Sequence, residues 1–282
     1  MSKKKSDLIP RLITAIVALP LLIALILYAP AWLFFAFIAL VGAISIWEFC
    51  GITFSSEHPG GRVVAMILGV GLMNVLYFAP AFFVPALAGT TLAVFLYFLF
   101  AFKDQSRVTH QIGSAITAIL YGGILITFIA LLGRDGEQAG PMWILMTLAI
   151  VWASDTGAYF SGRALGKHKL YPSVSPNKSV EGALGGVVAS VLFAMAFNAL
   201  FVALAPEAWT DLSFLQILAL AIPANLLGQT GDLAESLVKR AHDVKDSGTI
   251  IYGHGGILDR IDALFFASPW VYYFMIFTTR GF

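Results

Sequence analysis

The chain has 282 residues, of which 59% are hydrophobic and only 12% charged, with a mean hydropathy of +0.85. Soluble domains run about half apolar and a quarter charged, which excludes an ordinary soluble globular protein. The 17 Lys and Arg against 16 Asp and Glu leave a net charge of +1, so no bulk field argues for a nucleic-acid partner.

A bilayer-spanning helix needs roughly 17 to 25 apolar residues. Reading for such runs between charges, turns and prolines gives nine, at 12–28, 31–50, 63–79, 82–102, 112–133, 141–160, 182–204, 213–231 and 262–279. The expected fold is therefore all-α: a polytopic integral membrane protein with about nine transmembrane helices. The first run follows three lysines, Lys3 to Lys5, in the manner of a signal peptide. Pro30 and a second long apolar run stand where a cleavage site and a polar mature start would be, so this run reads as a retained helix. The break between the third and fourth runs at Ala79-Pro80-Ala81 leaves open whether 63–79 and 82–102 both span or form one kinked segment.

Lys and Arg set the orientation, because short loops rich in them stay in the cytoplasm. With a cytoplasmic N-terminus, fifteen of the basic residues fall on the inner side, and only Arg134 and Arg280 on the outer. Two long loops, 161–181 and 232–261, then open to the cytoplasm. The chain divides into N-terminal helices 1–4 (1–110) and helices 5–9 with these loops (111–282), within one integral membrane unit. The outer-loop charges Asp135, Glu137, Glu207 and Asp211 read as solvated, and Cys50, the single cysteine, as a packing residue.

An ionised carboxylate in hydrocarbon costs on the order of 3 kcal/mol, so carboxylates gathered at helix ends call for a cation. Asp232, Glu235, Ser236 and Lys239 recur at i, i+3, i+4 and i+7 and share one helix face, with Arg240 at its border. The bland alternative is a solvated helix end with Glu235 paired to Lys239. Asp259 and Asp262 lie three apart at the start of the last helix, where Asp232 can meet them. Three hard oxygen ligands suit Mg2+, with Arg260 and Lys239 adding positive charge for a phosphate. Gly253, Gly255 and Gly256 around His254 let backbone N–H groups approach a phosphate. Asp155 sits inside the sixth run, where a purely structural carboxylate is out of place, and Glu48 lies at a similar level in the second. Arg163, Lys167 and Lys178, spaced with glycines, suit a polyphosphate or are simply the basic residues of a cytoplasmic loop. Ser179 is placed to cap the seventh helix with Glu181 near its N-terminus. Glycines 182, 185 and 186 suggest close helix packing. The five histidines lack metal-site spacing, and neither a P-loop lysine motif nor a dinucleotide fingerprint occurs.

The residues Ser236, Lys239 and Arg240, then Lys245-Asp246-Ser247-Gly248, then His254-Gly255-Gly256-Ile257-Leu258-Asp259-Arg260-Ile261-Asp262 resemble the signature of the phosphatidate cytidylyltransferases, or CDP-diacylglycerol synthases. The Asp155 segment and Ser175-Pro176-Asn177-Lys178-Ser179-Val180-Glu181-Gly182 resemble the family's other polar motifs. The likeness covers about 150–265; the N-terminal 130 residues share only the hydrophobic layout. One departure is Tyr252-Gly253 before the histidine, where the family often has a proline or glycine two residues earlier. The resemblance implies Mg2+-dependent transfer of CMP from CTP to phosphatidate, releasing pyrophosphate. On it, Asp232, Asp259 and Asp262 are metal ligands, and Lys239, Arg240 and Arg260 bind phosphates. Ser236 and His254 position substrate, and Asp246 binds cytidine or a second cation, for which a monovalent ion is the analogy. Asp155, Lys167, Lys178, Glu181, Glu235, Gly255 and Gly256 complete the substrate site. The implied partners are CTP, phosphatidate and the lipid bilayer of a bacterial inner membrane, with the site facing the cytoplasm and a homodimer left open. A CTP-dependent polyprenol or dolichol kinase is the alternative, and a transporter a more distant one.

Overall fold

Residue types along the helices are distributed inside out relative to a soluble protein. On the helix over 180–204, Gly182, Gly186, Ser190, Ala194 and Asn198 repeat every fourth residue and are buried, while Leu184, Val188 and Leu192 on another face are exposed. Small and weakly polar residues toward neighbouring helices, with branched aliphatics outward, is what packing within lipid selects.

The computed structural model describes residues 8–54, 59–102, 104–250 and 255–280, with backbone alone for 8–17 and 280. Each apolar run corresponds to helix among these residues. They are α1 (Leu8–Tyr28), α2 (Ala31–Thr53), α3 (Pro59–Phe78), α4 (Phe83–Ala101), α5 (Gln105–Ala118) leading into α6 (Leu125–Asp135), α7 (Gly140–Leu165), α8 (Val180–Leu204), α9 (Phe214–Ala241) and α10 (Leu258–Arg280). Between α5 and α6, Ile119–Ile124 is a π-helical stretch, so the two form one span of 31 residues. Eight spans among the described residues are long and apolar enough to cross a membrane, while α1 contributes a shorter apolar stretch, Ala18–Tyr28. The protein is an integral membrane protein by this measure. Pro80 opens a short 3-10 turn, Pro80–Phe82, that separates α3 from α4, and each segment has the length to cross by itself.

The sixth and eighth runs continue as helix beyond their apolar portions, to Leu165 and Ala241. The polar connections are correspondingly shorter than the sequence suggests. In the first lies a small antiparallel hairpin, β1 (Lys169–Tyr171) with β2 (Ser175–Ser179), the one sheet among the described residues.

The chain forms two compact units that interleave along the sequence. One comprises residues up to Ala130 with Val244–Arg260; the other comprises Leu131–Asp243 with the residues from Ile261 onward. In the first, Ile46, Cys50, Leu72, Met73 and Phe98 are fully buried, so Cys50 is a packing residue. In the second, α7 and α8 approach so closely that a Cβ on Gly157 would fall 2.7 Å from the carbonyl oxygen of Gly185. Trp209 packs on Trp143 and Phe201 and donates its indole N–H to Asn198. Asn198 also donates to Asp211 at 2.7 Å, and Asp135 binds Arg134 and the Tyr272 hydroxyl. Two of the charges expected to be merely solvated, Asp211 and Asp135, therefore accept hydrogen bonds from neighbouring side chains.

Candidate functional site

In the second unit, α7, α8, α9 and the hairpin surround a pocket of about 570 Å3 whose lining includes Asp155, Tyr159, Arg163, Asn177, Lys178, Gln229 and Asp232. Local structure fixes this lining. Ser179 ends β2 and caps α8, its hydroxyl accepting from the Gly182 amide at 3.1 Å. Glu181, in the first turn of α8, accepts from the amides of Lys167 and His168 and lies 2.6 Å from His168 Nδ1. The carboxylate proposed as a substrate ligand thus also ties the hairpin entry to the helix start. With both hairpin ends fastened, Lys178 extends toward α9, where its Nζ pairs with Asp232 Oδ2 at 2.6 Å.

The eighth apolar run hides a polar seam that pattern reading missed. Gln229 donates to Asn225 at 2.6 Å and to the Ala183 carbonyl, Asn225 to Ser190 at 2.8 Å, and Ser190 to the Ile150 carbonyl. These bonds hold α7, α8 and α9 in register behind the pocket. Asn225 and Gln229, one turn apart in an otherwise apolar segment, were the available signal.

Asp232 lies at the centre of the charge distribution. It acts electrostatically on Asp155 and on Asp262, and Glu235 and Asp155 act on Asp262 as well. Ser236 contacts Asp232 Oδ1 at 3.4 Å, a long hydrogen bond. Glu235 pairs with Lys239 at 2.8 Å, and both are buried, 1% and 9% exposed. The pairing weighed as a feature of a solvated helix end therefore exists but is internal. Arg240 and Lys167 are exposed.

In the first unit, Asp259 is heavily engaged. Its Oδ2 accepts from the Ser247 amide and hydroxyl, at 2.8 and 2.9 Å, and from the Gly256 amide at 2.9 Å. Gly255 adopts φ +85°, open to glycine at little cost, and a Cβ there would lie 2.7 Å from the same oxygen. The glycines thus fold the loop around a carboxylate, and the Gly256 amide is donated within it. Asp246 and Arg260 are exposed. His254 lies outside the described residues.

Among the described residues, no three acidic, histidine or cysteine side chains converge as a ready-made metal cage. The donor chemistry around Asp232 nonetheless fits Mg2+, which binds through one or two carboxylates together with substrate phosphates and water. Asp155 and Asp232 on the pocket lining are hard-oxygen donors, Asp232 already paired with the Lys178 ammonium, and Asp262 acts electrostatically with both.

Residues 9–278 match the cytidylyltransferase family. The chain belongs to that family. Phosphatidate cytidylyltransferases are among the proteins similar to this family member. That of Bacillus subtilis (strain 168) is 38% identical over 165 residues, 58% of each chain. That of Staphylococcus epidermidis is 45% identical over 135 residues, 48% of this chain and 49% of its own, and that of Staphylococcus aureus (strain COL) 41% over 154 residues, 55% of each. The chain spans about half the length of the curated relatives it matches.

Proposed function

We propose that this cytidylyltransferase-family member transfers CMP from CTP to phosphatidate, forming CDP-diacylglycerol and pyrophosphate. The observation that carries the reading is the polar pocket opening beside Asp232, Asp155 and Lys178, in a chain that matches the family over 9–278. The relatives' names support phosphatidate as acceptor.

In the proposed reaction an anionic phosphate oxygen of phosphatidate attacks the α-phosphorus of CTP. A new P–O bond forms, the bond from the α-phosphorus to the bridging oxygen breaks, and pyrophosphate leaves with that electron pair. The nucleophile is already charged, so the chain need not supply one. Its work is to hold two anions in line and offset their repulsion. Asp232 and Asp262 would hold Mg2+, which supplies charge neutralisation to the polyphosphate, and Asp259, the third carboxylate suggested by the sequence, fastens the loop before α10 through the Ser247 and Gly256 amides. Lys178, on the pocket wall, is placed to exchange its contact with Asp232 for a phosphate, and Arg163 offers a second cation on the same lining. Glu235 keeps the Lys239 ammonium fixed, and Ser236 orients Asp232. Arg240 and Arg260 at their helix ends and Lys167 and Asp246 in the loops, all exposed, would contact the nucleotide, as the family resemblance implies. The inner-side excess of Lys and Arg and the bacterial relatives support a site facing the cytoplasm from a bacterial inner membrane.

CTP labelled at the α-phosphate tests this in sealed inverted vesicles, right-side-out vesicles and detergent. Label should pass into lipid in detergent and in inverted vesicles given external CTP, but not in right-side-out ones. Label recovered only in soluble CDP would establish terminal-phosphate transfer, the kinase reaction, and activity confined to right-side-out vesicles would reverse the orientation.

A further inference from the structure

Glu48 lies in α2, far in sequence from both polar loops, and is buried with 3% exposure. The start of α10 has N–H groups with no partner inside the helix, as every helix does. The residues just before it, Gly255, Gly256 and Ile257, carry no side-chain acceptor to cap them. Glu48 supplies one from about 210 residues away: Oε1 accepts from the Ile257 amide at 3.1 Å and Oε2 from the Leu258 amide at 2.8 Å. Ser247, also buried, brings its hydroxyl 3.3 Å from Glu48 Oε2 and 2.9 Å from Asp259 Oδ2.

The loop is shaped around this carboxylate. A Cβ on Gly248 would fall 2.6 Å from Glu48 Oε1, and one on Gly256 would fall 2.5 Å from Oε2. A side chain at either glycine would press on the Glu48 carboxylate where it stands, and at Gly256 on the Ser247 hydroxyl as well. Both its oxygens point at the helix start, and hydrogen bonds to a carboxylate are stronger than neutral ones.

We propose that Glu48 is a positioning residue of the transferase: from α2 it caps α10 and, with Ser247, fixes Asp259 and the segment 244–260. The catalytic part of this inference rests on the proposed CMP transfer; the clamp itself does not. The family signature lies entirely in the C-terminal half, so Glu48 gives the N-terminal helices a defined part in the reaction.

The test compares Glu48→Ala and the milder Glu48→Gln with Ser45→Ala, one turn earlier in α2, where the buried hydroxyl donates to the Val41 carbonyl of its own helix. Hydrogen exchange read by mass spectrometry on the peptide around 255–262 should accelerate at least about 10-fold at the Ile257 and Leu258 amides in the Glu48 variants. In the folded variants the Mg2+ concentration for half-maximal CMP transfer should rise at least about 10-fold, a shift that mere loss of folded protein does not produce. Ser45→Ala should change neither. Unchanged exchange in Glu48→Gln overturns the clamp; accelerated exchange with unaltered Mg2+ dependence and rate overturns the positioning role. A wild-type protein that transfers no CMP refutes the reaction, while the exchange measurement still decides the clamp.

Discussion

Glu48 and Asp259 in one unit and Asp155, Asp232 and Asp262 in the other are carboxylates of one chain with unlike surroundings. The first two face backbone amides and a serine: Glu48 takes two N–H groups and Asp259 takes two more on a single oxygen. The other three act on one another electrostatically, with Lys178 bonded to Asp232. A carboxylate surrounded by oriented N–H dipoles is stabilised where it stands and organises the loop that supplies them. Carboxylates crowded together raise one another's energy and lower it only by taking up positive charge, which is the property a polyphosphate site using Mg2+ requires. Position in the sequence does not distinguish the two kinds, since Asp259 and Asp262 are three residues apart on one helix.

The sharpest way to break this contrast is Asp232→Asn, which preserves size and removes the charge. Loss of a cation ligand should reduce CMP transfer by about 100-fold or more, with partial recovery at high Mg2+ or with Mn2+. Recovery at high Mg2+ would mark Asp232 as a cation ligand, whereas a loss indifferent to the ion would place it with the loop-fastening carboxylates. Lower in effect is Gly157→Ala in the wall behind the pocket. The added Cβ would lie 2.5 Å from the Ala189 Cβ and 2.7 Å from the backbone oxygen of Gly185, so α7 and α8 must part. Overpacking of this kind costs about 1–3 kcal/mol, read as a lowered melting temperature in detergent. Glu207→Gln, at an exposed position between α8 and α9, should leave both activity and melting unchanged within about 0.5 kcal/mol.

The helices were legible because lipid imposes length and apolarity on each span, and all nine runs correspond to helix. The Ser179 cap and the glycine-mediated packing of α8 were legible too, as they depend on residues close in sequence or on small side chains with one common use. The hairpin was not: Ser175–Ser179 contains a proline and four polar residues, and its pairing is set by contacts at its ends rather than by strand propensity. Nor was the part of Glu48, whose partners lie about 210 residues away, so that no local pattern links them. The burial of Glu235 with Lys239 was hidden for a related reason, because i, i+4 spacing shows that two residues share a face but not whether that face meets water or protein.

The proposed function requires the carboxylates around Asp232 to hold a divalent cation. Mn2+ binding to the purified, detergent-solubilised protein, followed by the loss of the free-ion electron paramagnetic resonance signal with and without CTP, tests it most directly. The wild-type protein should take up Mn2+, more tightly with CTP present and in competition with Mg2+, and Asp232→Asn should weaken uptake at least about 10-fold while Glu207→Gln leaves it intact. Equal uptake by the wild-type and Asp232→Asn proteins would contradict the account.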